Sequence, residues 1–416
     1  MTRTKFDKIL ITFEDGGKKL TTDWLIACLM GLGKLFLHPM LYVSIAYCLF
    51  IGYLRVKRER HDFNTKIYSF SMELRSMLPQ GLIWGLLLSF LTLATGLSIP
   101  LAALSLMAVV TVLAMLSMKK RFVSPVYTMG LTFFILFFLY DRDIELTLFQ
   151  DALNQLDRSV YPTLVILIGL LLIAEGFLIV ANGSKKVSPH LEVSKRGQPI
   201  GVYVSQRIWL IPMFVMVPGG QLPAPFEWYP VFTIGDMSLS PIVLPILIGF
   251  KQKVHGTLPE LAIKVQGKKV GALGIVITLL AAAGYWYPPL AIITVVLAIL
   301  GREFLHHSQK AMDQKLPFYF SKSKLGVQIL GVIPQSPADK MGLQKGEVIS
   351  KINGVVVREE EELYRALQIN RAHCKLEVID NNEQIRFVQR ALFDGEHYEL
   401  GLLFVDDQLK ESGQVG

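Results

Sequence analysis

The residues best placed to do chemistry are two glycine triplets near the C-terminus and two acids set in apolar sequence. Leu325-Gly326-Val327 leads into the strand-like run 327–333, and Leu363, Tyr364 and Leu367 of a later helical stretch, 359–369, would line the wall opposite. Such an arrangement makes a groove. Val327, Gln328 and Ile329 would offer a backbone edge to an extended chain, and amides of the Gly326 loop would hold a terminal carboxylate. Leu400-Gly401-Leu402 is a second apolar-Gly-apolar triplet that serves as the loop if the strand order is permuted. In both cases the alternative is ordinary: a glycine for a turn and leucines for a core. Glu175 lies centrally in LLLIAEGFLIV, and Asp236 lies in TIGDMSLS. An acid at mid-bilayer costs roughly 2.5–3.5 kcal/mol on insertion scales, so both are candidates for carrying a proton or ion. A buried helix contact, or a wet interfacial position for Asp236, explains them equally. No ionisable partner is evident at matching depth, which weighs against transport.

Other chemistries lack their residues. None of the eight histidines stands in H-E-x-x-H, the pair of imidazoles with a glutamate base that zinc hydrolysis needs. No G-x-S-x-G or G-N-S-G turn presents a serine nucleophile, and Ser412-Gly413 falls in a polar tail. Gly267-Lys268-Lys269 lacks the upstream glycine of a phosphate loop. Cys28, Cys48 and Cys374 have no zinc-like spacing. The sequence predicts a non-enzymatic protein without metal or cofactor.

The elements that must position these residues are mostly apolar. Of 416 residues, 52% are hydrophobic and 18% charged, a balance that requires much of the chain to face lipid. The net charge of +8 then reflects basic loops on one side of a membrane rather than nucleic-acid binding. Residues 1–23 are a polar extension, followed by a multi-pass block over 24–301. Residues 24–54 are broken by Gly31, Gly33, Lys34 and His38-Pro39, and read as a re-entrant or short helical pair. Further apolar segments run over 80–97, 99–117, 124–140, 162–181, 208–218, 231–250, 270–286 and 288–300; the stretch 208–218 is short for a span. Eight spans result if 24–54 is re-entrant, the preferred count, and nine if it crosses once. Arg55–Arg60, Lys119–Arg121, Lys185-Lys186 with Lys195-Arg196, and 251–269 alternate with uncharged or acidic loops. That alternation places the basic loops and the C-terminal module in the cytoplasm. The run Arg55–Arg60 could equally hold anionic lipid headgroups.

After a polar connector over 302–317 comes a soluble module over 318–405 and a tail, 406–416, that reads as disordered. Its centre is SPADKMGLQKGEVISKINGVVV, residues 336–357. Ser336 suits an N-cap, Pro337 the first helical position, and Asp339 completes an S-x-x-D capping signature. Gly342 suits a left-handed stop, and Asn353-Gly354 is a two-residue hairpin turn between apolar runs. This ordered series resembles the PDZ family. The predicted architecture is an α-helical polytopic membrane domain followed by an α+β PDZ domain, a small partly open barrel with two helices.

A polytopic block with a C-terminal PDZ domain and no protease motif is similar to the MinJ family. Phe36-Leu37-His38-Pro39, the run from Gly52 to His61, and the core 333–357 carry the likeness, which covers about 31–405. It implies an adaptor at the division septum and poles of Bacillus-type bacteria. Such an adaptor would link a DivIVA-type protein to the MinC–MinD inhibitor and would contact the division machinery. The other readings are a protease-like intramembrane protein without recognisable motifs, and a transporter regulated by its PDZ domain.

Overall fold

A computed structural model describes residues 22–140, 160–222, 239–284, 286–287, 289–370, 373–393 and 400–405. Helix α1 spans 22–37 and α2 Pro39–Phe63. Between them His38 is an N-cap: its Nδ1 accepts from the Met40 amide at 3.2 Å, and Pro39 takes a first-turn position that needs no donor. The helices α3 (Met72–Thr95), α4 (Leu101–Leu116), α5 (Pro125–Tyr140), α6 (Val160–Leu178, ending in a π turn to Gly183), α7 (Pro259–Ala283) and α8 (Pro289–Lys315) follow the predicted apolar segments. Among the described residues, α2, α3, α6 with its π turn, α7 and α8 are long and apolar enough to cross a membrane. The connector predicted at 302–317 is mostly the last turns of α8.

The segment 208–218 and the described part of the next one, 239–250, belong to something else. Strands β1 (Ser188–Val193), β2 (Pro199–Leu222) and β3 (Leu239–Val254) form an antiparallel sheet, with β2 and β3 paired from Tyr203–Val254 to Leu222–Leu239. This explains why 208–218 is short. Eleven residues rise about 16 Å as helix but about 36 Å as strand, enough for a hydrocarbon layer of about 30 Å. Pro212 pairs with Pro245, a match a helix interior would resist. Both faces of the hairpin are buried, with Ile211, Met213, Val215 and Ile248 fully enclosed.

Open strand edges are not tolerated in lipid unless protein covers them. Helix α3 supplies that cover along β2. Ser89 Oγ accepts from the Phe214 amide at 2.8 Å, and Thr92 Oγ1 donates to the Phe214 carbonyl at 2.6 Å. Farther along, the Ile99 amide donates to the Met216 carbonyl at 2.8 Å, and the Met216 amide donates to Leu97. Such closeness requires glycine on the helix. A Cβ on Gly81 would lie 1.8 Å from the Leu210 oxygen, and one on Gly85 2.2 Å from that of Pro212. On the other side of the block α6 and α7 cross with similar intimacy, Gly176 against Gly271 and Gly169 against Thr278.

The C-terminal module contains β4 (Val327–Gln328), β5 (Gly331–Val332), α9 (Pro337–Lys340), β6 (Val348–Ile352), β7 (Val355–Val356), α10 (Glu360–Ile369), β8 (His373–Ile379), β9 (Ile385–Ala391) and β10 (Leu402–Leu403). One sheet runs β4-β6-β8-β9 with β7 on β6, and β5 pairs with β10. The capping residues act as their types predict. Ser336 Oγ accepts from the Asp339 amide at 3.3 Å, while the Asp339 carboxylate accepts from Gln335 at 2.8 Å. Gly342 is left-handed, and Asn353 and Gly354 both have positive φ, as the hairpin turn demands.

Replacing Gly81 with valine is expected to force α3 from β2 and cost about 1–3 kcal/mol or more. Gly33→Val, where a Cβ meets nothing within 4 Å, should be near neutral. Thermal unfolding of the detergent-solubilised full chain checks this; equal melting temperatures for both variants would contradict the close-packed edge.

Candidate functional site

The groove residues are brought together, but most of them are core. Strand β4 is the terminal strand of its sheet. Val327 faces Ile349, and the Ile329 amide donates to Glu347 at 2.8 Å, so these alternate residues address β6. The intervening Gln328 therefore turns its amide and carbonyl toward the other edge. Val327, Ile329, Leu363 and Leu367 are buried in one apolar cluster, with Tyr364 half-buried against it, while Leu325 is exposed.

The two glycine triplets differ. Gly326 leads into the terminal strand, where a Cβ would meet the Ile349 oxygen at 2.2 Å; close approach to β6 is one reason for glycine there. Leu400-Gly401-Leu402 is occupied internally. The Gly401 carbonyl accepts from Ile333 at 2.8 Å, the Leu400 carbonyl accepts from Ala338 at 2.9 Å, and Leu402 pairs with Val332. A cavity of about 150 Å³ opens beside β4 and is lined by Lys322, Gly326, Gln328, Arg358, Glu360 and Glu361 among others. Its acids sit in the first turn of α10, where the helix dipole favours them. No thiol chemistry accompanies this surface, since burial pushes the Cys374 thiol up to about 12.

The PDZ module is seated on the base of the hairpin. The Gly201 amide donates to Phe320 at 2.9 Å, the Tyr319 amide donates to His255 at 2.9 Å, and the Tyr203 hydroxyl donates to the Leu330 carbonyl. Phe320 and Leu330 are buried in the cluster that fills the membrane block. A Cβ on Gly201 would come within 2.3 Å of the Leu330 Cδ1 and 3.0 Å of the Phe320 Cβ, so a larger residue would have to displace the Leu330 side chain. Lys345 pairs with Glu260 at the same junction. Helix α10 stays outside it, with Glu361 and Arg365 largely exposed.

Glu175 has the partner that the linear sequence concealed. Its Oε1 accepts from Arg302 at 2.7 Å and its Oε2 from the Ser124 hydroxyl at 2.5 Å, all three residues being buried. Ser124 caps the start of α5 directly after the basic turn Lys119–Arg121, so Glu175 stands at the basic end of the bundle rather than its centre. The pair ties α6 to α8 and the start of α5. Asp236 falls outside the described residues.

Arg55–Arg60 is not a loop but the last turns of α2. Arg55 is buried, paired to Glu73 at 2.6 Å and to Glu59 at 2.6 Å. Glu59 also accepts from the Ile67 amide at 2.9 Å and the Ser188 hydroxyl at 2.8 Å, linking α2 to the hairpin sheet. Gly52, one helical turn earlier, allows contact with the Phe70 carbonyl. One face of the run from Gly52, carrying Arg55 and Glu59, is thus a buried polar joint, a role its composition did not reveal.

Fold and site together define a polytopic membrane protein carrying a PDZ domain, and residues 328–380 match the PDZ domain family. The chain is 40% identical to the cell division topological determinant MinJ of Bacillus subtilis, over 94% of this chain and 98% of that protein. It is 24% identical to the probable cell division topological determinant MinJ of Lacticaseibacillus paracasei, over 88% of this chain and 95% of the relative. The chain belongs to the MinJ family.

Glu175→Leu should cost about 3–5 kcal/mol by leaving Arg302 charged and unpaired, and Glu175→Leu/Arg302→Met should recover most of it. The check is thermal stability in detergent; a single variant as stable as the wild type would contradict the structural role.

Proposed function

We propose that the protein is a membrane-fixed, non-enzymatic adaptor for division-site selection that recruits cytoplasmic proteins through its PDZ domain. The observation that carries this reading is the terminal strand β4, whose Gln328 backbone faces away from the sheet on a module anchored to the membrane block. A partner segment adds to β4 as a further strand, with α10 as the opposite wall and Leu325-Gly326-Val327 at its end. The acids of α10 favour an uncharged or basic side chain near the mouth.

Membership of the MinJ family supports placing this activity in division-site selection. The partners then proposed are DivIVA-type and MinD-type proteins and components of the division machinery. The protein would concentrate at the septum and cell poles, with the PDZ domain cytoplasmic beside the basic ends of the bundle. Its mechanism is tethering: two weak partners held on one body meet at raised effective concentration without new chemistry. The pairing of Glu175 with Arg302 accounts for one of the two acids that motivated a transport reading.

Val327 and Leu367 are too deeply buried to test the groove without unfolding it. Gln328→Pro removes the outward amide and the side-chain bond from the Ser321 amide, and leaves the β4–β6 pairing in place. Its expected effect is about tenfold or greater loss of partner capture, one strand hydrogen bond and the local fit being lost, with PDZ thermal unfolding unchanged. Undiminished capture of DivIVA-type and MinD-type proteins by the folded variant would exclude β4 as the docking edge.

A further inference from the structure

Between the α4–α5 turn, the base of β3 and the cytoplasm-proximal turns of α8 lies a cavity of about 450 Å³, within the size range of small-molecule sites. Its walls include Lys120, Arg121, Lys251, Gln252, His306 and Lys310. Two further cations, Lys119 and Lys253, stand at its margin, and Lys253 is neutralised by Glu192. The acid on the wall, Asp313, is already committed: it pairs with His255 and accepts from the Gly256 amide at 3.0 Å. Arg121 shares Glu303 at 3.3 Å. Among the described residues neither Lys251 nor Lys310 has a carboxylate within ion-pair range.

Two further observations point to a ligand. Gln252 is 4% exposed, yet neither its amide nitrogen nor its oxygen has a hydrogen-bond partner. Such a group should be satisfied in a folded protein, by something the chain itself does not supply. Lys120 is also buried, and desolvation, with Lys251 and Arg58 nearby, pushes its ammonium down to about 7. The cavity therefore gathers positive charge against its own repulsion, a cost that an anion would relieve.

The mouth identifies the kind of anion. Met118, 41% exposed, lines the cavity at the end of the apolar helix α4, and Leu116 just before it is exposed too. A soluble phosphate has no use for such a rim, whereas a phospholipid would lay its acyl chains there. We infer that this cavity holds the phosphodiester headgroup of an acidic phospholipid, with Lys251, Lys310 and Arg121 around the phosphate and the Gln252 amide donating to it. The site is separate from the PDZ groove; of the Arg55–Arg60 run Arg58 stands near its Lys120 and Lys251, while Arg55 is consumed in ion pairs.

The test is native mass spectrometry of the full chain in non-ionic detergent, titrated with phosphatidylglycerol or phosphatidylcholine. Phosphatidylglycerol should bind roughly tenfold or more tightly than phosphatidylcholine, since each lysine near an anionic headgroup contributes about 1 kcal/mol. Lys251→Gln/Lys310→Gln should abolish that preference, while the charge-matched Lys195→Gln/Arg196→Gln on the β1–β2 turn should keep it. Thermal unfolding without lipid verifies that each variant is folded, and Lys310→Gln alone, on an exposed helix position, serves if the double variant is not. Equal binding of the two lipids, or a preference that survives in the folded cavity variants, overturns the proposal. So does displacement of phosphatidylglycerol by equimolar glycerol 3-phosphate or inorganic phosphate, which would assign the cavity to a soluble anion.

Discussion

The structure depends on one requirement: the backbone edge of a long apolar hairpin must find partners where water cannot supply them. Strand β2 runs well past β1, so its outer edge near Phe214 and Met216 has no strand beside it for most of its length. An unpaired amide or carbonyl in hydrocarbon costs several kcal/mol. Ser89, Thr92 and the backbone of Leu97 and Ile99 meet that demand, and Gly81 and Gly85 bring α3 near enough to do so. Prolines along both strands reduce the number of donors needing partners. Once α3 is fixed, Arg55, Glu59 and Glu73 hold α2 against it and against β1.

The same hairpin carries the PDZ domain. Its base extends beyond the apolar segment, and Gly201, Tyr203 and His255 there receive Phe320, Leu330 and Tyr319. A freely linked recognition module would search a volume set by its linker. Here α8 runs continuously to Lys315, and the seat begins four residues later, so little chain separates membrane block from module. A partner added to β4 would consequently be held at a fixed place and orientation near the membrane. That arrangement suits the adaptor role proposed above.

Much of this was legible in the sequence, and the failures have physical causes. Local signals were reliable where the determining interaction is local: Ser336, Gly342 and Asn353-Gly354 act within a few residues of themselves. The apolar runs gave helix positions but concealed the hairpin, because a buried strand and a buried helix are both continuously apolar. Pro212, Pro241 and Pro245, with the short length of 208–218, were the available clues. Glu175 looked solitary because Arg302 lies 127 residues away, outside the reach of spacing arguments. Arg55–Arg60 looked like a loop because charge was read as solvation, whereas Arg55 and Glu59 satisfy each other inside. Groove residues were located, but their burial was not, since whether Val327 and Leu367 line a cleft or fill a core depends on the closeness of α10 to β4.

The central claim is that the PDZ domain is fixed on the membrane hairpin rather than tethered loosely to it. Spin labels at Arg365→Cys on α10 and Lys195→Cys on the β1–β2 turn report this separation directly by pulsed dipolar spectroscopy. Cys28 is replaced by serine for that measurement, and Cys48 and Cys374 are buried. A single narrow distance distribution in lipid nanodiscs is the predicted result. A broad distribution, with the PDZ domain still folded, would contradict the account.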